Sequence, residues 1–146
     1  MSMFKIFDVA GSGMAAQSLR LNTTASNLAN ANSVASSPDK AYRAREPLFA
    51  AAHADAMACG GGGAGNAGDA AVGVQVTGIT ESQAPIQRHY EPGNPAADAD
   101  GYVYGSNVKP IDELVNMISA SRSYQNDVEV MQSAKQLMLK TLDLGK

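Results

Sequence analysis

The segment 109–146 gives the stronger of two helix predictions and constrains the fold more than any other feature. Pro110 suits a first helical turn, and Asp112 and Glu113 complement the positive start of a helix. About 34 residues at 1.5 Å each predict a rod about 50 Å long, well beyond a typical domain helix. Its predicted apolar seam, interrupted by Lys135, is Leu114, Met117, Ser121, Tyr124, Val128, Met131, Met138 and Leu142.

A second helix is predicted from Met3 to about Ala31. Its side chains recur every seven residues, which is the pattern of an a/d-like seam with two rows. The bulky row is Phe7, Met14, Leu21 and Leu28, and the companion row is Phe4, Gly11, Ser18 and Ala25. Gly11 and Gly13 each cost about 1 kcal/mol of helix propensity relative to alanine, so this helix needs a neighbour to pack against.

A long helix at each end of the chain indicates an antiparallel pair. The region between them predicts short strands in 41–50, 71–80, Ile86–Tyr90 and Tyr102–Tyr104, with a flexible Gly/Ala insertion at about 51–71. The predicted fold class is therefore α+β, with N- and C-terminal helices paired as an antiparallel coiled coil and a small central β-rich unit. The predicted boundaries are 1–34, 35–107 and 108–146.

Composition excludes several classes of function. Apolar residues make up 45% of the chain, but many are alanine and Trp is absent, which favours thin seams over a deep core. The net charge is −3 without a basic block, so binding to nucleic acid is not expected. We also expect no membrane insertion, because no apolar run approaches 18 residues, and no cleaved signal peptide.

The residue types that carry chemistry form no recognisable site. His53 and His89 have no partner at ligand spacing, and Cys59 has no nearby base to activate it. The segment 98–101 resembles part of a calcium loop but lacks the later ligands, which favours a simple turn. We therefore predict no catalytic residue, no metal ligand and no cofactor.

Asparagines repeat in the segment "ASNLANANS", 25–33. Asparagine is a poor helix former, because its amide competes for backbone hydrogen bonds. Asn32 and Ser33 are explained as turn formers that stop the helix. For Asn27 and Asn30, one helical turn apart, spacing alone leaves a solvated polar face and a contact between helices equally open.

Four segments in order carry a family resemblance: "ASNLANANS", "YEPGNPAADADGYV", "SASRSYQNDVEVM" and "LMLKTLDLG". They resemble the axial proteins of the bacterial flagellum, the family of rod, hook and hook-associated proteins. The resemblance implies a non-enzymatic rod subunit of the basal body, located in the periplasm and exported through the flagellar type III apparatus. It also implies paired terminal helices as an inner layer, and hydrogen bonds between subunits at Asn27 and Asn30.

The partners implied by the resemblance are copies of this chain, other rod proteins of the FlgB, FlgF and FlgG types, and the rod-to-ring junction protein FliE. The implied role is to transmit torque while leaving a central export channel open. A different class of function remains as an alternative, namely a small cytoplasmic adaptor that uses its helices as a reversible coiled coil. An enzyme is a third hypothesis, which would require His53, His89 or Cys59.

Overall fold

A computed structural model describes residues 3–52 and 73–144 of the chain. The side chains of residues 3 and 4, His53, Cys59 and most of the predicted insertion at 51–71 lie outside the described residues. The elements are α1 (Met3–Ala29), β1 (Val34–Ala35), β2 (Arg45–Ala52), β3 (Gly73–Glu81), β4 (Arg88–Tyr90), β5 (Tyr102–Gly105) and α2 (Pro110–Leu144). This arrangement confirms the α+β class and the two long terminal helices.

The end of α1 is set by side chains that compete for its last backbone groups. Asn30 Nδ2 donates to the backbone oxygen of Ser26 at 2.8 Å, and Ser33 Oγ donates to the backbone oxygen of Asn30 at 2.7 Å. Such local bonds offer the backbone an alternative to the helix, so α1 stops at Ala29. The predicted stop signal in 25–33 is confirmed.

The two helices pack side by side in antiparallel orientation. Asn27 Nδ2 donates to Glu113 Oε1 at 3.2 Å, and Arg20 Nη2 donates to Asn116 Oδ1 at 3.2 Å. Further along, the Asp127 carboxylate lies 2.9 Å from the position that a Cβ of Gly13 would occupy. Contacting residues have lower numbers in α1 as their numbers in α2 increase, as expected for an antiparallel pair. The buried apolar residues on the two helices are small: Ala10, Ala16, Ala120 and Ala134.

The strands β2 and β3 form an antiparallel hairpin that runs from Arg45 opposite Glu81 to Ala52 opposite Gly73. The register shifts between Leu48 and Phe49, as in a β-bulge. The predicted strand at 71–80 is confirmed, but it is more exposed than the predicted half-buried strand: Val74, Val76 and Ile79 are 39%, 37% and 52% exposed. A two-stranded sheet with few neighbours lacks the partners that would cover it.

The second sheet is a small antiparallel unit with strand order β1-β5-β4. Val103 in the central strand is fully buried, and Val108 beyond it is 8% exposed. The loop before β5 closes with Gly101 at φ +79°, where Gly101 N donates to the backbone oxygen of Asp98 at 2.9 Å. The segment 98–101 is therefore the turn that the sequence predicts.

We predict that Gly101→Ala lowers the free energy of unfolding by about 1–2 kcal/mol, because a side chain is strained at positive φ. The added Cβ would also lie 3.0 Å from the Tyr90 ring. The matched control is Gly93→Ala, where no atom lies within 4 Å of the added Cβ. Urea unfolding of both variants measures the difference, and equal midpoints would contradict the assignment of strain to Gly101.

Candidate functional site

The side chain of Asn27 is the most completely bonded polar group in the described part of the chain. It is 1% exposed. Its Oδ1 accepts from the backbone N–H of Arg45 at 2.9 Å and from the Tyr42 hydroxyl at 3.0 Å. Its Nδ2 donates to the backbone oxygen of Arg45 at 2.9 Å and to Glu113 Oε1 at 3.2 Å. One amide thus connects the end of α1 with the first residue of β2 and the first turn of α2.

These four bonds use both donors and both acceptor positions of the Asn27 amide. An aspartate would lack the two donors, and an alanine would take away the partners of the Arg45 backbone N–H and carbonyl. Asn27 therefore has no side-chain group left for another subunit. The bonds seen for Asn27 all lie within the chain, and the hydrogen bond between subunits that the resemblance implies for Asn27 stays a prediction.

Asn30 differs from its neighbour one turn earlier. It is half-buried, and its Nδ2 bonds to the Ser26 carbonyl within the same helix. Its Oδ1 accepts no hydrogen bond from the described residues. A contact between subunits at Asn30 stays a prediction.

A second amide, Asn107, reaches the same part of the chain from the loop before α2. Its Oδ1 accepts from the backbone N–H of Ala44 at 2.7 Å, and its Nδ2 donates to the backbone oxygens of Ser82 and Ala84, both at 3.2 Å. Asn107 and Asn27 therefore bind the consecutive backbone N–H groups of Ala44 and Arg45. These two residues and Ser82, where the hairpin joins the rest of the chain, are called the hairpin root. The sequence offered no signal for Asn107 beyond an asparagine just before a helix, which is an ordinary loop residue.

Among the described titratable groups, only Glu113 has a pKa that is clearly shifted. Burial raises the pKa of the Glu113 carboxyl above its ordinary value, and the negative charges of Glu46 and Asp112 raise the pKa further. The hydrogen bond from Asn27 acts in the opposite direction without cancelling the rise. Glu113 lines a cleft of about 390 Å³ that also contacts Arg20 and Phe49.

One row of α1 that lies near α2 is adjacent to the predicted bulky row. Gly13, Arg20 and Asn27 each lie against a residue of α2, and Ile6, at the same spacing of seven, lines a groove together with residues of α2. The predicted residues Phe7, Met14, Leu21 and Leu28 form the adjacent row and are half-buried. Their role in a contact between subunits stays a prediction.

The predicted seam of α2 divides into two groups. Met117, Val128, Met131 and Met138 are half-buried, as is Ser121. Leu114, Tyr124 and Leu142 are 46%, 38% and 63% exposed. Sequence reasoning missed the buried Ala120 and Ala134, because small residues carry little weight in a hydrophobic pattern.

The opposite side of α2 presents large apolar side chains to solvent. Ile111, Val115 and Ile118 are 76%, 62% and 56% exposed and recur at intervals of four and three residues, so they share one face. Beside this face an open groove of about 340 Å³ is lined by Val115 and Ile118, and another of about 460 Å³ by Val130 and Leu137. Asn126 lines both grooves. Exposed apolar surface of this extent marks an interaction site.

The described residues contain no group of three or more His, Cys, Asp or Glu side chains that could hold a metal ion. His89 lies exposed in β4. Across 3–52 and 73–144 no helix has the length and hydropathy needed to cross a membrane.

Both ends of the chain match known families. Residues 7–35 match the family described as flagella basal body rod protein. Residues 99–144 match the family described as flagellar basal body rod FlgEFG protein C-terminal. The helix pair is thus built from the two segments that define rod proteins of the bacterial flagellar basal body.

Curated relatives extend the similarity over the whole chain. The identity is 49% over 100% of both chains to the flagellar basal-body rod protein FlgC of Salmonella typhimurium and to that of Escherichia coli O157:H7. The identity to FlgC of Bacillus subtilis is 32% over 157 aligned positions, again covering both chains fully. The chain belongs to the FlgC family of flagellar basal-body rod proteins. The family resemblance found in the four sequence segments is confirmed.

We predict that Glu113→Gln keeps the hydrogen bond from Asn27 and removes a charge that burial disfavours. A carboxyl whose folded pKa is raised stabilises the fold below its ordinary pKa and loses that contribution as the pH rises through the raised value. The Gln variant should therefore equal or exceed the wild-type free energy of unfolding at neutral pH. The advantage should shrink on acidification.

Urea unfolding at several pH values checks this, with the exposed Glu129→Gln on the same helix as the control. A wild type that is the more stable form at neutral pH, with its lead lost in acid, would contradict the prediction.

Proposed function

We propose that this chain is a non-enzymatic structural subunit of the proximal rod, which assembles with other rod proteins into a hollow axial shaft. The observation that carries the proposal is the exposed apolar face of Ile111, Val115 and Ile118 on α2. A monomer gains nothing from this exposure, whereas a subunit buries the face against neighbours. The names of the relatives, which are rod proteins, support the same role.

In the assembled rod, the two terminal helices form an inner coiled-coil layer whose open rows are completed by neighbouring subunits. The outer side of α1 presents small exposed residues, namely Ala15, Ser18, Asn22, Ala25 and Ala29. Beside them runs the half-buried bulky row that begins at Phe7. A small row next to a bulky row is the pattern that receives knobs from another helix.

Gly11 adds a second argument for a neighbour. No atom lies within 4 Å of the position that a Cβ of Gly11 would occupy, so nothing in the described chain requires glycine there. Glycine inside a helix costs about 1 kcal/mol relative to alanine. Close approach by a helix from another subunit supplies the missing reason.

The central β unit faces outward from this layer, and the shaft transmits torque while its channel stays open for export. The partners are copies of this chain, rod proteins of the FlgB, FlgF and FlgG types, and FliE. The subunit reaches the periplasmic rod through the flagellar type III export apparatus.

Deleting the gene in its host and restoring it from a plasmid tests the role. Motility should be lost and regained, and electron microscopy of the deletion strain should show assembly stopping at the proximal rod. Normal motility in the deletion strain would contradict the proposal.

We predict that Leu142→Asp blocks rod assembly while leaving the fold of the subunit intact. Leu142 is 63% exposed, so the carboxylate is solvated in the free chain but is buried without a partner in the assembled layer. The readouts are thermal unfolding of the purified chain and swimming of the complemented strain. The control is Gln136→Asp, an acidic substitution at an exposed polar position of the same helix. Full swimming of the Leu142→Asp strain would contradict the burial of Leu142 in the assembled rod.

We predict that Gly11→Ala separates stability from assembly. The free energy of unfolding should rise by about 1 kcal/mol, because alanine favours the helix and the added methyl meets no atom of the described chain. Swimming should nevertheless fall, because the methyl group occupies space that a neighbouring helix needs. Higher stability together with unchanged swimming would show that no helix approaches Gly11.

A further inference from the structure

The hairpin formed by β2 and β3 depends on its attachments, because it has no core of its own. None of the described residues in β2 or β3 is buried. An isolated two-stranded hairpin is at best marginally stable in water. Both strands lie against α1, and hydrogen bonds from other elements are concentrated at the end where the hairpin leaves the rest of the chain.

Most of these attachments lie at the hairpin root. Asn27 binds both backbone groups of Arg45, at 2.9 Å each. Asn107 binds the N–H of Ala44 on one side of the root and the carbonyl of Ser82 on the other. Farther out, the backbone N–H of Val74 donates to Ser12 Oγ of α1 at 3.1 Å.

Both amides at the root lie close to the start of α2, Asn27 in space and Asn107 along the chain. Asn27 is held from the far side by Glu113 in the first turn of α2, and Asn107 lies three residues before Pro110, where α2 begins. When α2 is absent or displaced, Asn27 loses its Glu113 partner and its shield from water. Hydrogen bonds exposed to water contribute little net stability, whereas bonds in a dry, fully satisfied network reinforce one another.

We propose that Asn27 and Asn107 form a clamp that couples pairing of the two terminal helices to docking of the hairpin. The helix ends and the hairpin root then order together and are lost together. Because α2 follows the hairpin in the chain, the hairpin takes its fixed direction only once α2 is present. This coupling is a property of the folded subunit and stands apart from the proposed place in the rod.

The sharpest test is Glu113→Ala, which removes the contact that α2 makes with Asn27. Among the described residues, the Glu113 carboxylate makes no hydrogen bond to the hairpin, although it shares a cleft with Phe49 of β2. Hydrogen–deuterium exchange of the full-length chain then reports on both regions at once. Coupling predicts that the amides of 45–52 and 73–81 exchange about fivefold faster or more, together with those of 113–117, since about one net hydrogen bond is lost from a shared unit. The control, Glu129→Ala on the same helix, should leave the exchange of these segments unchanged.

A second pair of variants guards against local effects. Asn27→Ala should accelerate the same three segments, and the exposed Asn22→Ala on the same helix should accelerate none of them. If Asn27→Ala does not fold, Glu113→Ala and Asn107→Ala decide. Faster exchange at 113–117 with an unchanged hairpin would overturn the clamp, as would a wild type without slow amides in the hairpin and at 113–117.

Discussion

One buried amide holds the parts of this subunit in relation to one another. The Asn27 side chain satisfies the backbone of Arg45, the Tyr42 hydroxyl and the Glu113 carboxylate at the same time. Apolar burial between the described elements is small. The buried apolar side chains of the two helices are alanines, and no residue of the hairpin is buried. Where apolar burial is thin, polar ties of this kind carry an unusual share of the geometry.

The small apolar core and the exposed apolar face of α2 are related. The described chain buries alanine and valine at its centre and leaves Ile111, Val115, Ile118 and Leu142 in contact with solvent. In the proposed rod, burial of these apolar side chains is left to assembly. The end of the helix pair near Asn27 is tied by hydrogen bonds, and the proposal assigns the end near Gly11 and Leu142 to contacts with neighbours. An FlgC-family rod subunit with this distribution is well suited to lock into a polymer.

The sequence predicted the elements better than their contacts. The long helices, the turn at 98–101 and the strands at 71–80 and 102–104 follow from periodicity and turn chemistry, which are local properties. The contacts of Gly13, Arg20 and Asn27 with α2 were not predicted, because the bulky row of Phe7, Met14, Leu21 and Leu28 dominates the hydrophobic pattern. The partners of Asn27 lie 15 to 86 residues away in the chain, so no local pattern could identify them. The strand β1, two residues long, is likewise defined only by its pairing with β5.

The family resemblance supplied the class of protein, and its assignment of Asn27 to a contact between subunits stays a prediction. A repeated asparagine in a helix is compatible with bonds inside the chain and between chains, and only the positions of Arg45 and Glu113 reveal the bonds inside the chain. The apolar face of Ile111, Val115 and Ile118 was not predicted from the sequence. Its residues are ordinary helix residues in the sequence, and their exposure becomes apparent only after α1 is placed on the other side.

A cryo-electron microscopy map of the intact basal body, resolved to side chains at the level of this subunit, tests the account most directly. In every copy, Asn27 should bond to Arg45 and Glu113 of its own chain, while the face of Ile111, Val115 and Ile118 is covered by a neighbouring subunit. A map in which Asn27 reaches across to another subunit, or in which the Ile111 face lines the open channel, would contradict it.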